Sequence, residues 1–328
     1  MSPLPRSSIL SRHRFNLAEP LWWGLALGVI ILFPEYLAVG TSVLVMVLFV
    51  LSYDLLLGFA GVLSLGHTVF FGIGAYAAGL LALAGWTEAV TGVLAAGAIS
   101  AVLAAALGPF LLRLRGLPLI MITLSVGLVF FEAASKATWL TGGDDGLSGI
   151  ELAPLFGRFG WGMYGHTKYL YALGWLFFLF YLTRRIVASP FGVALQGIRE
   201  NDARMRLMGN PVLPHLVVAY VISAAIAGIA GALLTQTNSF VGLGVMGLDN
   251  SIDVLIMLVL GGVGRLFGGF IGAPVYMLVK HFASLWGPYY WMFMIGALLI
   301  VVVRVGRGGL LGIIERVTDR LTGRGVNR

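Results

Sequence analysis

Apolar runs of 17 residues or more recur along this chain from Leu21 to Val303. As an α-helix, each run is long enough to cross the hydrocarbon core of a bilayer, which is about 30 Å thick. Only 11% of the residues are charged, against about 25% in ordinary soluble proteins. No small-residue cleavage site follows the first run, and a second run begins at Leu37, which argues against a cleavable signal. We therefore predict an all-α polytopic membrane protein.

The hydropathy pattern predicts about ten transmembrane segments, some short or broken, within one transmembrane domain that covers residues 1–328. The predicted segments are Leu17–Phe33, Leu37–Leu57, Gly58–Ala84, Ala89–Leu112, Leu117–Ser135, Thr167–Val187, Val212–Thr237, Ile252–Val263, Leu266–Leu285 and Tyr289–Val303. Outside them lie a tail of residues 1–16, an external loop of residues 136–166, a cytoplasmic loop of residues 188–211 and a basic tail of residues 304–328.

Basic residues gather on one side of the membrane when these segments alternate in direction. Seventeen of the 21 basic residues fall on that side, Lys136, Arg158 and Lys168 fall on the other, and Lys280 lies within a predicted segment. The seventeen are Arg6, Arg12, Arg14, Arg113, Arg115, Arg184, Arg185, Arg199, Arg204, Arg206, Arg265 and the six arginines from Arg304 to Arg328. Because basic loops remain in the cytoplasm, this side is predicted to be cytoplasmic and to hold both termini. Nucleic acid is excluded as a partner, since the arginines lie at segment ends without interleaved aromatic residues.

One long polar segment, Ser189–Gly209, lies between two apolar segments. Its pattern predicts a short amphipathic helix. The apolar side comprises Ala194, Leu195, Ile198, Met205 and Met208, and the polar side comprises Arg199, Glu200, Asn201, Asp202, Arg204 and Arg206. A basic helix of this kind, held between two membrane segments, is a docking element for a soluble partner. Such an element is typical of the membrane half of an ATP-driven transporter.

Glycine and other small residues are used in two different ways. Small residues recur at every fourth position at Gly92, Ala96, Ser100 and Ala104, and again at Ala224, Gly228 and Ala232. Such faces let helices approach closely. Two glycine-rich stretches, Gly58–His67 and Gly261–Gly272, instead interrupt apolar segments at corresponding places in the two halves of the chain. Matched broken helices indicate a pathway near the membrane midplane in transporters built from repeats, so an internal repeat is predicted.

Polar residues in and beside the first glycine-rich stretch are the candidates for a transport pathway. They are Asp54, Ser64, Gly66, His67 and Thr68. Ionisable groups within a bilayer cost about 2.5–3.5 kcal/mol on insertion scales, so each is a candidate functional group. His67 could instead cap freed backbone carbonyls, and Asp54 could instead reach the cytoplasmic interface.

Other polar residues in the segments are expected to have structural roles. Glu132 and Lys136 have the spacing of an ion pair within one helix. Structural pairing is also expected for Asp253 and Lys280 on neighbouring segments, and Thr123 and Ser125 are expected to bond back to their own helix.

The external loop contains a glycine-rich and acidic turn segment, Trp139–Ile150, with Asp144 and Asp145 at its centre. The ligand spacing of a calcium loop is absent. We interpret the two aspartates as part of an external mouth that docks a substrate-delivery protein. The alternative is that the segment is only a solvated turn.

No residue pattern predicts catalysis. The five histidines are scattered, the chain has no cysteine, and no glycine-rich phosphate loop is followed by Lys-Ser or Lys-Thr. No catalytic, cofactor or metal residue is therefore predicted, and a membrane enzyme is disfavoured. An ion-coupled secondary transporter would use similar broken helices but would need ion ligands within the membrane and no docking helix. A receptor or channel would not need that helix either.

Several blocks together resemble the membrane permeases of branched-chain amino-acid ABC importers. They are Gly58–Leu81, Arg113–Leu117, Thr141–Ile150, Ser189–Gly209, Ala219–Leu234 and Gly261–Ala273. The resemblance covers about Leu37–Gly312 and is greatest to the longer of the two paired permease subunits. The sequence departs from the usual family pattern at Asp54, Val62, Pro118 and Leu128, which alters the polarity of the pathway.

The resemblance implies a multi-pass permease in the cytoplasmic membrane of a prokaryote. It implies a heterodimer with a sister permease, two cytoplasmic ATP-binding subunits that carry ATP and Mg²⁺, and a periplasmic or extracellular substrate-binding protein. Ser189–Gly209 would be the coupling segment, with Arg199, Glu200, Asn201 and Arg204 facing the ATPase. This chain would bind membrane lipid but no cofactor of its own. The cargo would be branched-chain or other hydrophobic amino acids, with urea, short amides and aromatic or dicarboxylic acids as alternatives.

Overall fold

The computed structural model of this protein describes residues 18–155, 157, 159–161 and 165–286, and eight positions between 293 and 312. Twelve helices account for most of these residues: α1 (Ala18–Leu32), α2 (Leu37–Tyr53), α3 (Thr68–Leu83), α4 (Ala89–Leu111), α5 (Leu117–Lys136), α6 (Thr138–Thr141), α7 (His166–Val187), α8 (Pro190–Glu200), α9 (Asp202–Leu207), α10 (Val212–Asn238), α11 (Leu248–Gly261) and α12 (Gly268–Trp286). Short 3₁₀ turns cover Pro34–Tyr36, Gly143–Asp145 and Leu243–Met246, and a π-helical turn covers Asp54–Phe59. Within the described residues the only β-type pairing is two isolated bridges. The predicted all-α class is confirmed.

Five helical spans are long and apolar enough to cross a membrane. They are Pro34–Phe59, Ala89–Leu111, Leu117–Lys136, His166–Val187 and Val212–Asn238. Helix α3 is also apolar but has only 16 residues. Most of the predicted segment Tyr289–Val303, the tail of residues 1–16 and most of the tail of residues 304–328 lie outside the described residues. A multi-pass membrane protein follows from these helices, while the number of ten segments remains a prediction.

Local sequence explains where several helices begin and end. Proline stands in the first turn of α5 as Pro118 and of α8 as Pro190, where its missing N–H has no intrahelical partner to lose. Arg184 and Arg185 lie in the last turn of α7, where positive charge interacts favourably with the helix dipole.

Helix α2 is the centre of the bundle. It contacts α7, α10, α11 and α12, and its residues from Val47 to Tyr53 are all buried. A helix that is apolar on every side, as this one is, belongs in the interior of a helical assembly.

The two small-residue faces pack against each other. Ala96 and Ser100 of α4 are fully buried against α10. A Cβ atom built on Gly228 of α10 would lie 3.1 Å from the Ala96 carbonyl oxygen and would collide with the Ser100 side chain. Helix α3 joins the same contact, because Gly74 lies against the backbone of Gly228. The predicted close-packing role of these residues is confirmed.

The break predicted at Gly58–His67 within the segment Gly58–Ala84 is confirmed, since α3 begins only at Thr68 and residues 60–67 are not helical. Gly61 in this break has a φ of +72°, which an L-residue with a side chain rarely adopts. The segments predicted from Ile252 and Leu266 are the helices α11 and α12, which start four residues earlier and two residues later, respectively.

Candidate functional site

The break at residues 60–67 collects the residues predicted for the pathway. Asp54, Ser64, His67 and Thr68 are each 1% exposed, and Gly66 is buried as well. In this chain on its own, all five lie inside the helical bundle.

His67 lies in a polar cluster between two helices. Its Nε2 atom is 3.1 Å from the Ser52 hydroxyl oxygen and 3.4 Å from that of Ser223. Both serine protons are already used, because Ser52 donates to the Phe49 carbonyl and Ser223 donates to the Ser52 carbonyl. The histidine proton is therefore assigned to Nε2. Nδ1, which is left as an acceptor, has no partner within the described part of the chain.

Thr68 connects the break to α11. Ser251 Oγ donates to the Leu65 carbonyl at 2.6 Å, so Thr68 Oγ1 is the donor in its 2.7 Å contact with Ser251. On another side, the Leu65 N–H donates to Thr123 Oγ1 of α5 at 3.3 Å. Backbone groups freed by the break are thus satisfied by hydroxyl groups from neighbouring helices.

Gly66 is a point of close backbone approach. Its Cα lies 3.5 Å from where a Cβ of Gly127 in α5 would be, and a Cβ on Gly66 would collide with the Thr123 carbonyl. A larger residue at Gly66 would therefore displace α5 before it filled any open passage.

Asp54 connects the first break to the second. The N–H of Gly264, in the non-helical stretch between α11 and α12, donates to Asp54 Oδ1 at 2.7 Å. The other carboxylate oxygen, Oδ2, is buried and has no hydrogen-bond partner in the described residues. The two glycine-rich stretches predicted to occupy matching positions therefore meet in space.

The predicted amphipathic helix Ser189–Gly209 is two helices rather than one. Asn201 ends α8 and begins α9, and its side-chain oxygen accepts a hydrogen bond from the Arg204 N–H at 2.9 Å. An N-cap asparagine explains the break, because its extended backbone cannot continue α8. The apolar side is correct for Leu195 and Ile198, which are buried, but wrong for Met208, which is 68% exposed.

The four predicted coupling residues, Arg199, Glu200, Asn201 and Arg204, are all exposed. Arg199 also reaches the first break, because its guanidinium group donates a hydrogen bond to the Gly58 carbonyl. Next to this region, Asp202 pairs with Arg115 at 2.7 Å and with Arg206 at 3.4 Å. These arginines border an open cavity of about 420 Å³ between α9 and the ends of α4 and α10.

The acidic turn of the external loop is exposed but anchored. Asp144 and Asp145 are exposed in their 3₁₀ turn. On one side of the turn, the Thr141 hydroxyl donates to the Ala134 carbonyl at 2.6 Å. On the other, Leu147 and Val241 exchange backbone hydrogen bonds of 2.8 and 3.0 Å. The turn therefore presents two carboxylates on a fixed base.

The expected structural interactions in other segments are confirmed. Lys280 Nζ lies 2.6 Å from Asp253 Oδ2, and the Tyr276 hydroxyl donates to the other oxygen of this carboxylate. Lys136 lies 3.5 Å from Glu132. Thr123 and Ser125 both donate to carbonyls of their own helix.

Sequence reasoning missed three serines that complete the cluster around the break, namely Ser52, Ser223 and Ser251. Each lies in an apolar helix and is at most 2% exposed. A hydroxyl group within such a helix was the available signal, because polar side chains within membrane helices commonly bond to neighbouring helices.

A multi-pass helical membrane protein with two broken helices, joined at one point, has the construction of a membrane transport protein. Residues 36–303 match the family described as the permease component of branched-chain amino acid transport systems. The chain belongs to this family.

Similarity to individual permeases extends over most of the chain. It is 29% identical to the high-affinity branched-chain amino acid transport system permease protein LivM of Salmonella typhimurium, over 83% of this chain and 69% of the relative. It is 26% identical to the corresponding permease protein BraD of Pseudomonas aeruginosa, over 81% of this chain and 91% of the relative. A probable LivM permease of Methanocaldococcus jannaschii is 30% identical over 33% of this chain and 34% of the relative. No solved structure matches.

Proposed function

We propose that this chain is the transmembrane permease subunit of an ABC importer in the cytoplasmic membrane of a prokaryote. Its cargo would be branched-chain or other hydrophobic amino acids, moved inward. The family match over residues 36–303 supports the class, and the names of the LivM and BraD relatives support the cargo. The chain itself would be non-catalytic.

The observation that carries the proposal is the helix pair α8–α9 between the two spans α7 and α10. Leu195 and Ile198 pack α8 onto the bundle, while Glu200 and Arg204 remain exposed. Leu207, at the end of α9, is 90% exposed. Charged and apolar groups exposed together beside a packed base are suited to docking a soluble subunit.

The assembly proposed around this chain contains a sister permease, two cytoplasmic ATP-binding subunits and a substrate-binding protein outside the cell. ATP and Mg²⁺ would bind to the ATP-binding subunits, and this chain would hold no cofactor. Asp144 and Asp145 would dock the binding protein. The ten predicted segments and the cytoplasmic termini fit this assembly, because they place α8–α9 on the side where ATP is present.

The solute pathway would border the first break, with Ser64, Gly66, His67 and Thr68 in its wall and Asp54 near its cytoplasmic end. Here the helical hydrogen bonding is interrupted and hydroxyl groups of three other helices converge. Irregular backbone at membrane depth is tolerated where it is buried in protein or lines a cavity. In the present conformation the cluster is closed.

Reconstitution of the complete complex in proteoliposomes tests the function. We expect ATP-dependent leucine uptake that requires the binding protein and is inhibited by excess isoleucine but not by excess urea. Arg204→Glu should reduce recovery of the ATPases with the membrane subunits, because like charges facing each other at a docking surface cost several kcal/mol. Arg185→Glu, at an exposed arginine on α7, is the matched control and should retain them. Uptake without ATP, or urea as the preferred cargo, would contradict the proposal.

A further inference from the structure

The two glycine-rich breaks meet at a single junction next to α8. Asp54 Oδ1 accepts from the Gly264 N–H, and a Cβ built on Gly264 would lie 3.0 Å from the Gly58 carbonyl oxygen. Both stretches therefore pass each other at backbone contact distance. We refer to Asp54, Gly58, Gly61 and Gly264 as the glycine junction.

Arg199 reaches this junction from the last turn of α8. Its guanidinium donates to the Gly58 carbonyl, and its Nη1 lies 2.7 Å from where a Gly264 Cβ would be. Its aliphatic stem covers Gly61, because a Cβ at that glycine would lie 2.8 Å from Arg199 Cγ and 3.2 Å from Arg199 Cβ. One side chain thus contacts both breaks, and only glycine at Gly61 and Gly264 leaves room for it.

The chemistry of this contact favours a cation. The Gly58 carbonyl lies in the π-helical turn at the edge of the break, and a charged donor makes a stronger hydrogen bond to it than a neutral one would. Asp54 is buried with Oδ2 unpaired among the described residues. A buried carboxylate is destabilising unless it is paired, and the Arg199 guanidinium, bonded to the Gly58 carbonyl, brings a positive charge to the same junction.

We propose that Arg199 is a positioning residue that fastens the coupling helix α8 to the glycine junction, so that displacement of α8 moves both broken segments together. This inference rests on the proposed function, because it takes the ATPase as the source of the displacement. It assigns Arg199 a role different from the ATPase contact proposed for Glu200 and Arg204.

The test uses the complete reconstituted complex with Arg199→Gln, Arg199→Lys and the docking variant Arg204→Glu. In Arg199→Gln we expect the ATPases to remain bound while leucine uptake per ATP hydrolysed falls about tenfold or more. A tenfold change corresponds to about 1.4 kcal/mol, which is close to the net free energy of one charge-assisted hydrogen bond. Arg199→Lys should restore part of the ratio, because it keeps the charge and one donor. In Arg204→Glu we instead expect fewer ATPase subunits to remain bound to the membrane subunits.

A purely structural role for Arg199 predicts a different result. Its loss would then lower the amount of folded complex without changing uptake per ATP. Should Arg199→Gln fold poorly, Asp54→Asn in the same chain removes the uncompensated carboxylate, and uptake per ATP is measured in the double variant. A low ratio in the folded complex supports the proposal.

Two results would overturn it: a wild-type ratio in Arg199→Gln or in the double variant, or loss of ATPase from Arg199→Gln as complete as that from Arg204→Glu. The second result would mean that Arg199 contacts the ATPase directly. Failure of the wild-type chain to recruit any ATPase would overturn the proposed function together with this inference. The two failures are therefore distinguishable.

Discussion

Among the residues that the structure describes, two acidic side chains within apolar segments, Asp54 and Asp253, have specific partners from another part of the chain. Asp253 on α11 meets Lys280 and Tyr276 on α12, and Asp54 meets the backbone of Gly264. Such contacts compensate for the unfavourable transfer of a carboxylate out of water. They also fix the register of one helix against another, because the carboxylate is satisfied at only one position.

Breaking the Asp253–Lys280 pair should destabilise the packing of α11 on α12. Asp253 is 13% exposed and Lys280 is 42% exposed, so Lys280→Met should cost about 2 kcal/mol, less than the roughly 3–5 kcal/mol of a fully buried pair. In a protein of this size that corresponds to a fall of about 3 °C in the melting temperature of the detergent-solubilised protein. Adding Asp253→Asn should recover most of the loss, since it removes the uncompensated charge. Equal melting temperatures for wild type and Lys280→Met would show that the pair contributes nothing.

Accessibility of the break can be followed with single cysteines, because the chain has no native cysteine. Cysteines at Ser64, His67 and Thr68 should not react with a water-soluble thiol reagent in the resting complex, since all three positions are buried. During ATP turnover we expect at least one of them to react as the pathway opens, whereas a cysteine at Leu207 should react throughout. Absence of labelling at all three positions in every nucleotide state would mean that the break is only a packed segment.

Residue chemistry alone predicted which polar side chains lie between helices. It was less successful in predicting the contacts that these side chains make. Asp54, His67 and Thr68 stand out because polar groups are rare in apolar segments, and all three occupy the junctions between helices. Arg199 was assigned to the polar side of its helix, and it is exposed as expected. Its hydrogen bond to the Gly58 carbonyl depends on space left by Gly61 and Gly264, which are distant in sequence, and no local pattern contains that information.

At the scale of helices, backbone contact among α3, α4 and α10 holds the centre of the bundle together. Gly74, Gly228 and Gly231 are packed against backbone atoms of neighbouring helices, and Ser100 donates across the contact to the Phe70 carbonyl at 3.0 Å. In a membrane the helices gain little from the hydrophobic effect, so this van der Waals contact and hydrogen bonding stabilise their association.

Adding one methyl group at the centre of this contact should destabilise it. Gly228→Ala would place a Cβ against Ser100 and the Ala96 carbonyl, and overpacking of this kind costs about 1–3 kcal/mol. The control is Gly174→Ala in α7, where a Cβ would meet nothing within 4 Å. That change should be neutral or slightly stabilising, because alanine favours the helix. A melting temperature that falls equally in both variants would contradict the packing argument.

Element types were more predictable than element boundaries. The four-residue spacing of small residues identified the α4–α10 contact correctly, since that spacing directly describes one face of a helix. The division of Ser189–Gly209 was not predicted, because Asn201 serves as the end of one helix and the cap of the next. The late start of α3 agrees with the break predicted at Gly58–His67, but the contacts of that break were not predicted. The first helical turns of α3 are replaced by residues 60–67, which obtain their hydrogen bonds from Thr123, Ser251 and Tyr53.

Across the whole molecule, helices α8 and α9 and the acidic turn belong to opposite predicted sides of the membrane. Helices α8 and α9 follow the basic end of α7, and Asp202 joins α9 to Arg115 after α4. The acidic turn at Asp144 and Asp145 instead follows α5 and is paired to residue 241 after α10. Helices α5 and α10 therefore each connect the basic region to the acidic turn.

This arrangement predicts the orientation of the protein in the membrane. Basic segments are retained in the cytoplasm, so α8–α9 should lie inside the cell and the turn with Asp144 should lie outside. Trp139, in α6 beside that turn, is 85% exposed, and Leu207 in α9 is 90% exposed. In intact cells, an impermeant thiol reagent should label Trp139→Cys and leave Leu207→Cys unmodified. After the membrane is opened, both should be labelled. The reverse pattern would place the arginine-rich side outside, where no ATPase could dock on α8–α9, and the importer assignment would then have to be abandoned.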